Sequence, residues 1–172
     1  YNTYPEFWSP KLAKKILKEH NKVNLIFSSN TISHIKNLDE VFKGINIVLD
    51  EKGMFILEDP SLLECLKKNT YDQFYNEHIY VFSYLSLQNA LKKHNLEIFK
   101  IEKLKIHGGS NRYYIKKKTN KIKLHISVSH HKLKEIKYGL ESLKTYIKFA
   151  KRIEHSKRKL FSIFTKSLFF SI

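Results

Sequence analysis

The order of two short apolar runs constrains this chain more than any other feature. VNLIFSS at residues 23–29 reads as a strand, and MFILED as a second one from Met54 to about Glu58. Between them, residues 36–49 read as a helix with Leu38, Val41, Phe42, Ile45 and Val48 or Leu49 on one side, closed by the turn DEKG that ends at Gly53. Strand, helix and strand in that order imply a crossover between parallel strands, hence an α/β sheet. The unbroken apolar character of both runs predicts strands buried on both faces.

The rest of the chain extends that frame. Residues 10–19 read as a helix, since Leu12, Ile16 and Leu17 recur at helical spacing among lysines. After Pro60, Leu62, Leu63 and Leu66 mark another helical piece, and Ser86 is a candidate N-cap for a helix carrying Leu87, Ala90 and Leu91. LEIFKIEKLKI, residues 96–106, alternates apolar and polar as a half-buried strand does. HGGS then turns the chain into NRYYIKKK, so these two runs are expected to pair antiparallel at the sheet edge. Residues 129–166 form a helical segment in which Leu133, Ile136, Leu140, Leu143, Ile147, Ala150 and Ile153 recur every three or four positions. With no repeat and no Pro- or Gly-rich linker, 172 residues fit one domain with a real core.

Composition removes several classes. No apolar run reaches the roughly 18 residues of a membrane-spanning helix, and residues 160–172 are broken by Ser162, Thr165, Lys166 and Ser167. A single cysteine, Cys65, excludes an internal disulfide framework and any zinc site of several thiolates. The remaining histidines lack metal-ligand spacing, so no metal site is expected. The start YNTYPEFWSP is not a signal peptide, and its lack of an initiator Met suggests that the native N-terminus is missing. Cytoplasmic residence is the default expectation. The net charge of +16 is the footprint of a polyanion binder, yet among 32 basic residues only Arg112, Arg152 and Arg158 are arginine. Specific phosphate and base readers favour arginine, so nucleic acid is the weaker partner. An anionic nucleotide substrate would also benefit from the charge.

Three constellations can carry chemistry. YDQFYNEH, residues 71–78, places Tyr75, Glu77 and His78 together, and in a helix Tyr75 and His78 would be neighbours. A histidine as base, a glutamate to orient it and a tyrosine donating to an oxyanion make an acid/base set. The alternative is a helix packing aromatics inward. SSNTISH puts Asn30 and His34 just beyond the first strand, where ligands bind in open α/β sheets; a helix cap is the competing explanation. Glu58 and Asp59 hold the analogous place after the second strand, unless Asp59 simply starts a turn with Pro60. His107, Gly108 and Gly109, with Arg112 close behind, form either an anion-binding nest or a plain turn.

The order of these segments resembles one family. SSNTISHIKNLDEVFKGINIVLDEKGMFILEDP is similar to its Asn-x-x-x-His-Ile segment after the fourth Rossmann strand. YDQFYNEHIYVFSYL with HGGSNRYYI resembles its Phe-Asp-x-x-Tyr-His-Glu-His block and the His-Gly-Gly-Ser-x-Arg that follows. The family is the class I S-adenosylmethionine-dependent C-methyltransferases of nucleotide-linked keto-deoxysugars. Asn76 stands where the family usually has its first histidine, and Asn111 replaces an apolar residue. The resemblance implies a partial Rossmann-like methyltransferase sheet, its later strands only, with edge antiparallel strands and a C-terminal helical segment. It divides the chain into the C-terminal half of the methyltransferase domain, 1–127, and a helical segment, 128–172, leading to a further domain. It also implies a fragment lacking the N-terminal zinc module and the Gly-rich cofactor loop, inactive alone. Implied roles are His78 as base, Glu77 orienting or tuning it, Tyr75 and His34 stabilising an enolate or positioning the sugar, Asn30 toward the cofactor, and His107, Arg112 and Glu58 toward sugar or diphosphate. The alternatives are a basic nucleic-acid-binding module and a degenerate, non-catalytic methyltransferase-like domain.

Overall fold

The computed structural model describes residues 3–169; the outermost residues of both expected segments, 1–2 and 170–172, lie outside them. The opening helix α1 (Pro10–His20) starts as its sequence dictates: Pro10 sits in the first turn and the Leu12 N–H donates to Ser9 Oγ. It leads into β1 (Val23–Ser29), a single 3₁₀ turn (Ile32–His34) and α2 (Leu38–Val48). Asn37 caps α2 by accepting the Glu40 N–H at 3.2 Å. Then follow β2 (Leu49–Pro60), α3 (Leu62–Lys68), a 3₁₀ turn (Tyr71–Gln73), α4 (Tyr84–Lys92), β3 (Leu96–Leu104), β4 (Ser110–Lys117), α5 (Ile126–Tyr138) and α6 (Leu143–Phe169).

The four strands form one sheet in the order β1-β2-β4-β3. β1 runs parallel to β2, as the crossover requires, whereas β4 inserts antiparallel between β2 and β3. The result is an α/β sheet. One face carries Phe55, Leu57, Ile98, Tyr113 and Ile115 and is sealed by Val41, Phe42 and Ile45 of α2, Leu87 and Leu91 of α4, and Val128 of α5. Helix α1 packs on α2. A methyl group added at Gly44 would meet the Trp8 indole at 3.0 Å, so glycine lets the ring lie flat on α2, where its N–H reaches the Val41 carbonyl. A second cluster joins Leu63 and Leu66 of α3 to Leu140 and Phe149.

Six expectations are corrected. β1 is not buried on both faces: it is the sheet edge, and Leu25 and Phe27 are both 58% exposed because no described helix covers that side. The DEKG turn lies inside β2, as a bulge where the register jumps from Val23↔Leu49 to Leu25↔Met54. The N-cap of α4 is Ser83; Ser86 is its N3 partner in a reciprocal capping box. Residues 71–78 form only one 3₁₀ turn: none of them is buried, so no sealed apolar face supports a helix, and Tyr75 bonds His78 within the segment. The long helical segment divides at Gly139, whose left-handed backbone ends α5. Leu133, Ile136, Leu143 and Ile147 of the expected apolar stripe are exposed, while Val128, His131 and Glu135 face the core.

Candidate active site

The carboxyl ends of β1 and β2 gather most of the expected site. The irregular segment 74–81 is strapped across them by three hydrogen bonds. His34 Nδ1 and the Glu77 carbonyl oxygen are 2.8 Å apart, the Tyr80 N–H donates to the Ser33 carbonyl at 3.1 Å, and the Tyr80 hydroxyl donates to the Lys36 carbonyl at 2.8 Å. Its far end is anchored by Phe74 against Phe149 of α6, ring centres 5.8 Å apart. A segment that begins 14 positions after the end of β2 thus returns to the strand ends without being helical itself.

These bonds set the tautomers. A carbonyl only accepts, so His34 carries its proton on Nδ1 and presents an Nε2 lone pair that has no partner among the described residues. His78 likewise donates from Nδ1 to the Gln73 carbonyl at 2.8 Å, and its Nε2 accepts the Tyr75 hydroxyl at 3.0 Å. The rings of His34 and His78 lie 4.7 Å apart, and those of Tyr75 and His78 4.2 Å. His34, Tyr75 and His78 therefore form one cluster. Glu77 joins it through its backbone: its carboxylate is exposed, and the group that orients His78 is the Gln73 carbonyl.

Asn30 and Glu58 form a second, connected group. The Asn30 N–H donates to the Glu58 carbonyl at 2.9 Å, the Asn30 amide to Ser29 Oγ at 3.2 Å, and Ser29 Oγ to the Glu58 carboxylate at 3.4 Å. Glu58 also takes an ion pair from Arg112, directly opposite it on β4, and Glu102 lies 3.6 Å from the same guanidinium. The Arg112 fork is thus already engaged by carboxylates. His107 stands apart, exposed on the β3–β4 turn. That turn is tied to α3: Lys68 Nζ donates to the Gly108 carbonyl at 2.6 Å, and a Cβ on Gly109 would sit 2.9 Å from the Glu64 side chain. The left-handed backbone at Gly108 and Gly109 serves this tight approach.

Beneath the cluster lies Asp59, which the sequence offered either as a pocket residue or as the start of a turn, together with Asn111 and Ser33, for which the sequence suggested no role in the site. Asp59 is fully buried, as are Asn111 opposite it and Ser33 beside His34. Burial raises the Asp59 carboxyl to about 6, against the pull of Ser33, His78 and His34, which favour its charge. Behind it, Asn111 donates to Tyr113 Oη and approaches His131 Nε2 at 3.2 Å. Burial lowers His131 to about 4. Glu135, also raised by burial, caps α4 by accepting the Tyr84 and Leu85 N–H groups at 2.7 and 3.0 Å. The signal for Asp59 was present in the strand alternation, which sets Leu57 and Asp59 on one face and Glu58 on the other.

Beside Thr31, an apolar cavity of about 270 Å³ opens between Trp8, Ile26, Phe27, Ile32 and Ile35. Among the described residues no cluster of three or more His, Cys, Asp or Glu side chains is arranged to hold a metal ion.

The imidazole–phenol cluster thus lies at the carboxyl ends of a parallel strand pair, the place where open α/β sheets bind ligands. The chain belongs to the methyltransferase domain family, whose profile matches residues 3–101. Residues 105–168 match a second family, the C-methyltransferase C-terminal domain. The boundary between the matches falls at the end of β3, yet β4 from the second match completes the sheet of the first. The C-methyltransferase NovU of Streptomyces niveus is 31% identical over 108 residues, 63% of this chain but 26% of NovU. The chain thus spans about a quarter of the length of that relative. Among solved structures, a SAM-dependent methyltransferase from Anabaena variabilis is similar at 14% identity and a TM-score of 0.48, covering 65% of this chain and 56% of its own. Magnesium protoporphyrin IX methyltransferase from Synechocystis, with bound SAH, is similar at 12% identity and a TM-score of 0.42, covering 55% and 44%. Among the described residues no helix is long and apolar enough to cross a membrane.

Proposed function

We propose that this chain forms part of an S-adenosylmethionine-dependent C-methyltransferase acting on a nucleotide-linked keto-deoxysugar. The observation that carries the reading is the Tyr75–His78–His34 cluster at the carboxyl ends of the parallel strands, within a chain that matches both methyltransferase families.

The cluster suits enolisation. In the structure the Tyr75 hydroxyl covers the His78 lone pair. Rotating that hydroxyl onto a substrate ketone oxygen provides an enolate donor and uncovers His78 Nε2 in the same movement. His78 then takes the proton from the carbon beside the ketone: the C–H bond breaks, an N–H bond forms, and the electron pair remains as the enolate. His34, its Nε2 unpartnered, positions the sugar or shares the enolate charge. Bound S-adenosylmethionine supplies an electrophilic methyl group for that carbon. Asn30 and the apolar cavity beside Thr31 fit one edge of such a cofactor, a polar amide next to room for a flat ring. Glu58, with Arg112, and His107 are candidates for sugar and diphosphate, and the basic charge favours an anionic nucleotide.

The test has two arms. S-adenosylhomocysteine is titrated calorimetrically into this chain and into one extended upstream, with binding expected for the extended chain. In the complete enzyme His78→Asn is expected to lower kcat by roughly 10²-fold or more and to abolish exchange of the substrate's α-proton with solvent. Near-wild-type turnover in His78→Asn would remove His78 as the base. Two folded proteins that both fail to bind would remove the cofactor, and salt-sensitive binding of a lysine-rich face to nucleic acid would then take its place.

A further inference from the structure

Four buried polar atoms lie together beneath the imidazole cluster: both carboxylate oxygens of Asp59, Ser33 Oγ and Asn111 Oδ1. None has a hydrogen-bond partner of good geometry among the described residues. Asp59 and Asn111 face each other across β2 and β4, Ser33 lies beside the carboxylate, and all three residues are at most 1% exposed. A buried carboxylate so poorly partnered is costly to ionise, and an exception of this kind calls for a physical explanation.

The charges around Asp59 supply one. His34, on the 3₁₀ turn beside Ser33, and His78, its ring 4.7 Å from that of His34, are the groups near enough for a proton taken up on either ring to act on Asp59. On β4, Tyr113 is neutral and driven further from ionisation by burial. On α5, His131 is held neutral by burial, and Glu135 is occupied by two backbone N–H groups. Glu58 points to the opposite face, where Arg112 neutralises it. Cation formed near Asp59 therefore forms on the histidine pair.

We infer that Asp59 is the buried counter-charge of the His34–His78 pair, a positioning residue that stabilises the imidazolium formed when the pair takes up a proton. This rests on the proposed function only for where that proton originates. The electrostatic coupling exists in the chain with or without turnover: as an imidazole gains a proton, the carboxylate beneath it is held ionised, and the two charges offset each other in a site of low dielectric.

The experiment is carbon-detected NMR of side-chain carboxyls and imidazoles in the 172-residue chain from pH 4 to 9, for wild type, Asp59→Asn and His78→Gln. In Asp59→Asn the imidazole midpoints of His34 and His78 are expected about half a pH unit or more below those of wild type, while exposed His155 stays put. In His78→Gln the Asp59 midpoint is expected to rise by a similar amount. Unmoved midpoints in both variants would overturn the inference. If Asp59→Asn does not fold, the His78→Gln arm decides alone, because it reads Asp59 directly. Neither arm uses cofactor or substrate, so loss of the methyltransferase reading and loss of this one are separate results.

Discussion

Replacing Asp59 by Asn tests whether a functional charge is held against the stability of the fold. Folding raises the Asp59 carboxyl from 3.8 to about 6, mainly by burial, so the folded state favours the protonated form. That contribution is whole below pH 3.8, is lost as pH rises through about 6, and is absent above it. At about 1.4 kcal/mol per pH unit, ionising Asp59 costs the folded state up to about 3 kcal/mol at pH 8. Asparagine keeps the shape and stays neutral at every pH. Asp59→Asn should therefore exceed wild type by up to about 3 kcal/mol at pH 8, or roughly 6–12 °C in Tm for a chain of this size, and match it near pH 4. The wild-type curve alone does not isolate this effect. His131, lowered by burial to about 4, contributes stability above pH 6.5 that is lost as pH falls toward 4, the opposite trend over much of the same window. The difference between wild type and variant cancels His131. Urea denaturation followed by far-UV circular dichroism and by the single tryptophan, Trp8, gives that difference at each pH. A gain equal at pH 4 and pH 8, or a loss at pH 8, would refute the reasoning.

Other outcomes follow from named contacts. Tyr75→Phe removes the donor that covers His78 and is expected to lower kcat of the complete enzyme by about 10²-fold, with substrate affinity little changed; initial-rate kinetics check it. Glu135→Leu leaves two buried N–H groups of α4 without their acceptor and should cost about 2–4 kcal/mol in urea denaturation. Ser83→Ala, which breaks the capping box, should cost about 1 kcal/mol, whereas Ser86→Ala should cost less. Gly109→Ala forces a methyl against Glu64 at 2.9 Å on a backbone of φ 128°, so hydrogen exchange in the β3–β4 turn and α3 should accelerate.

Periodicity made the frame legible. Val41, Phe42 and Ile45 recur at helical spacing, and the two apolar runs around them read directly as a parallel pair. The Tyr75–His78 contact was also legible as a spacing, though the expected helix is absent: two residues so close in sequence meet in a loop as readily as on a helix face. The division at Gly139 had a signal, a glycine after a helical run, but the apolar repeat across it hid the end of α5. Which side of α5 would be buried depended on Glu135 reaching the N-terminus of α4, 51 positions earlier in the chain.

Glu58 and Asp59 show where sequence stops. The residues by themselves determined that two carboxylates end the second strand and that a strand sends them to opposite faces. Only the tertiary structure decided their chemistry. Insertion of β4 beside β2 set Arg112 against Glu58 and Asn111 against Asp59, and α2, α4 and α5 covered just one face of the sheet. One carboxylate thus acquired an ion pair while its neighbour was buried without a donor beneath two histidines. Alternation along a strand is local, but which face is sealed depends on elements dozens of residues away, and solvation of a charge follows the sealing.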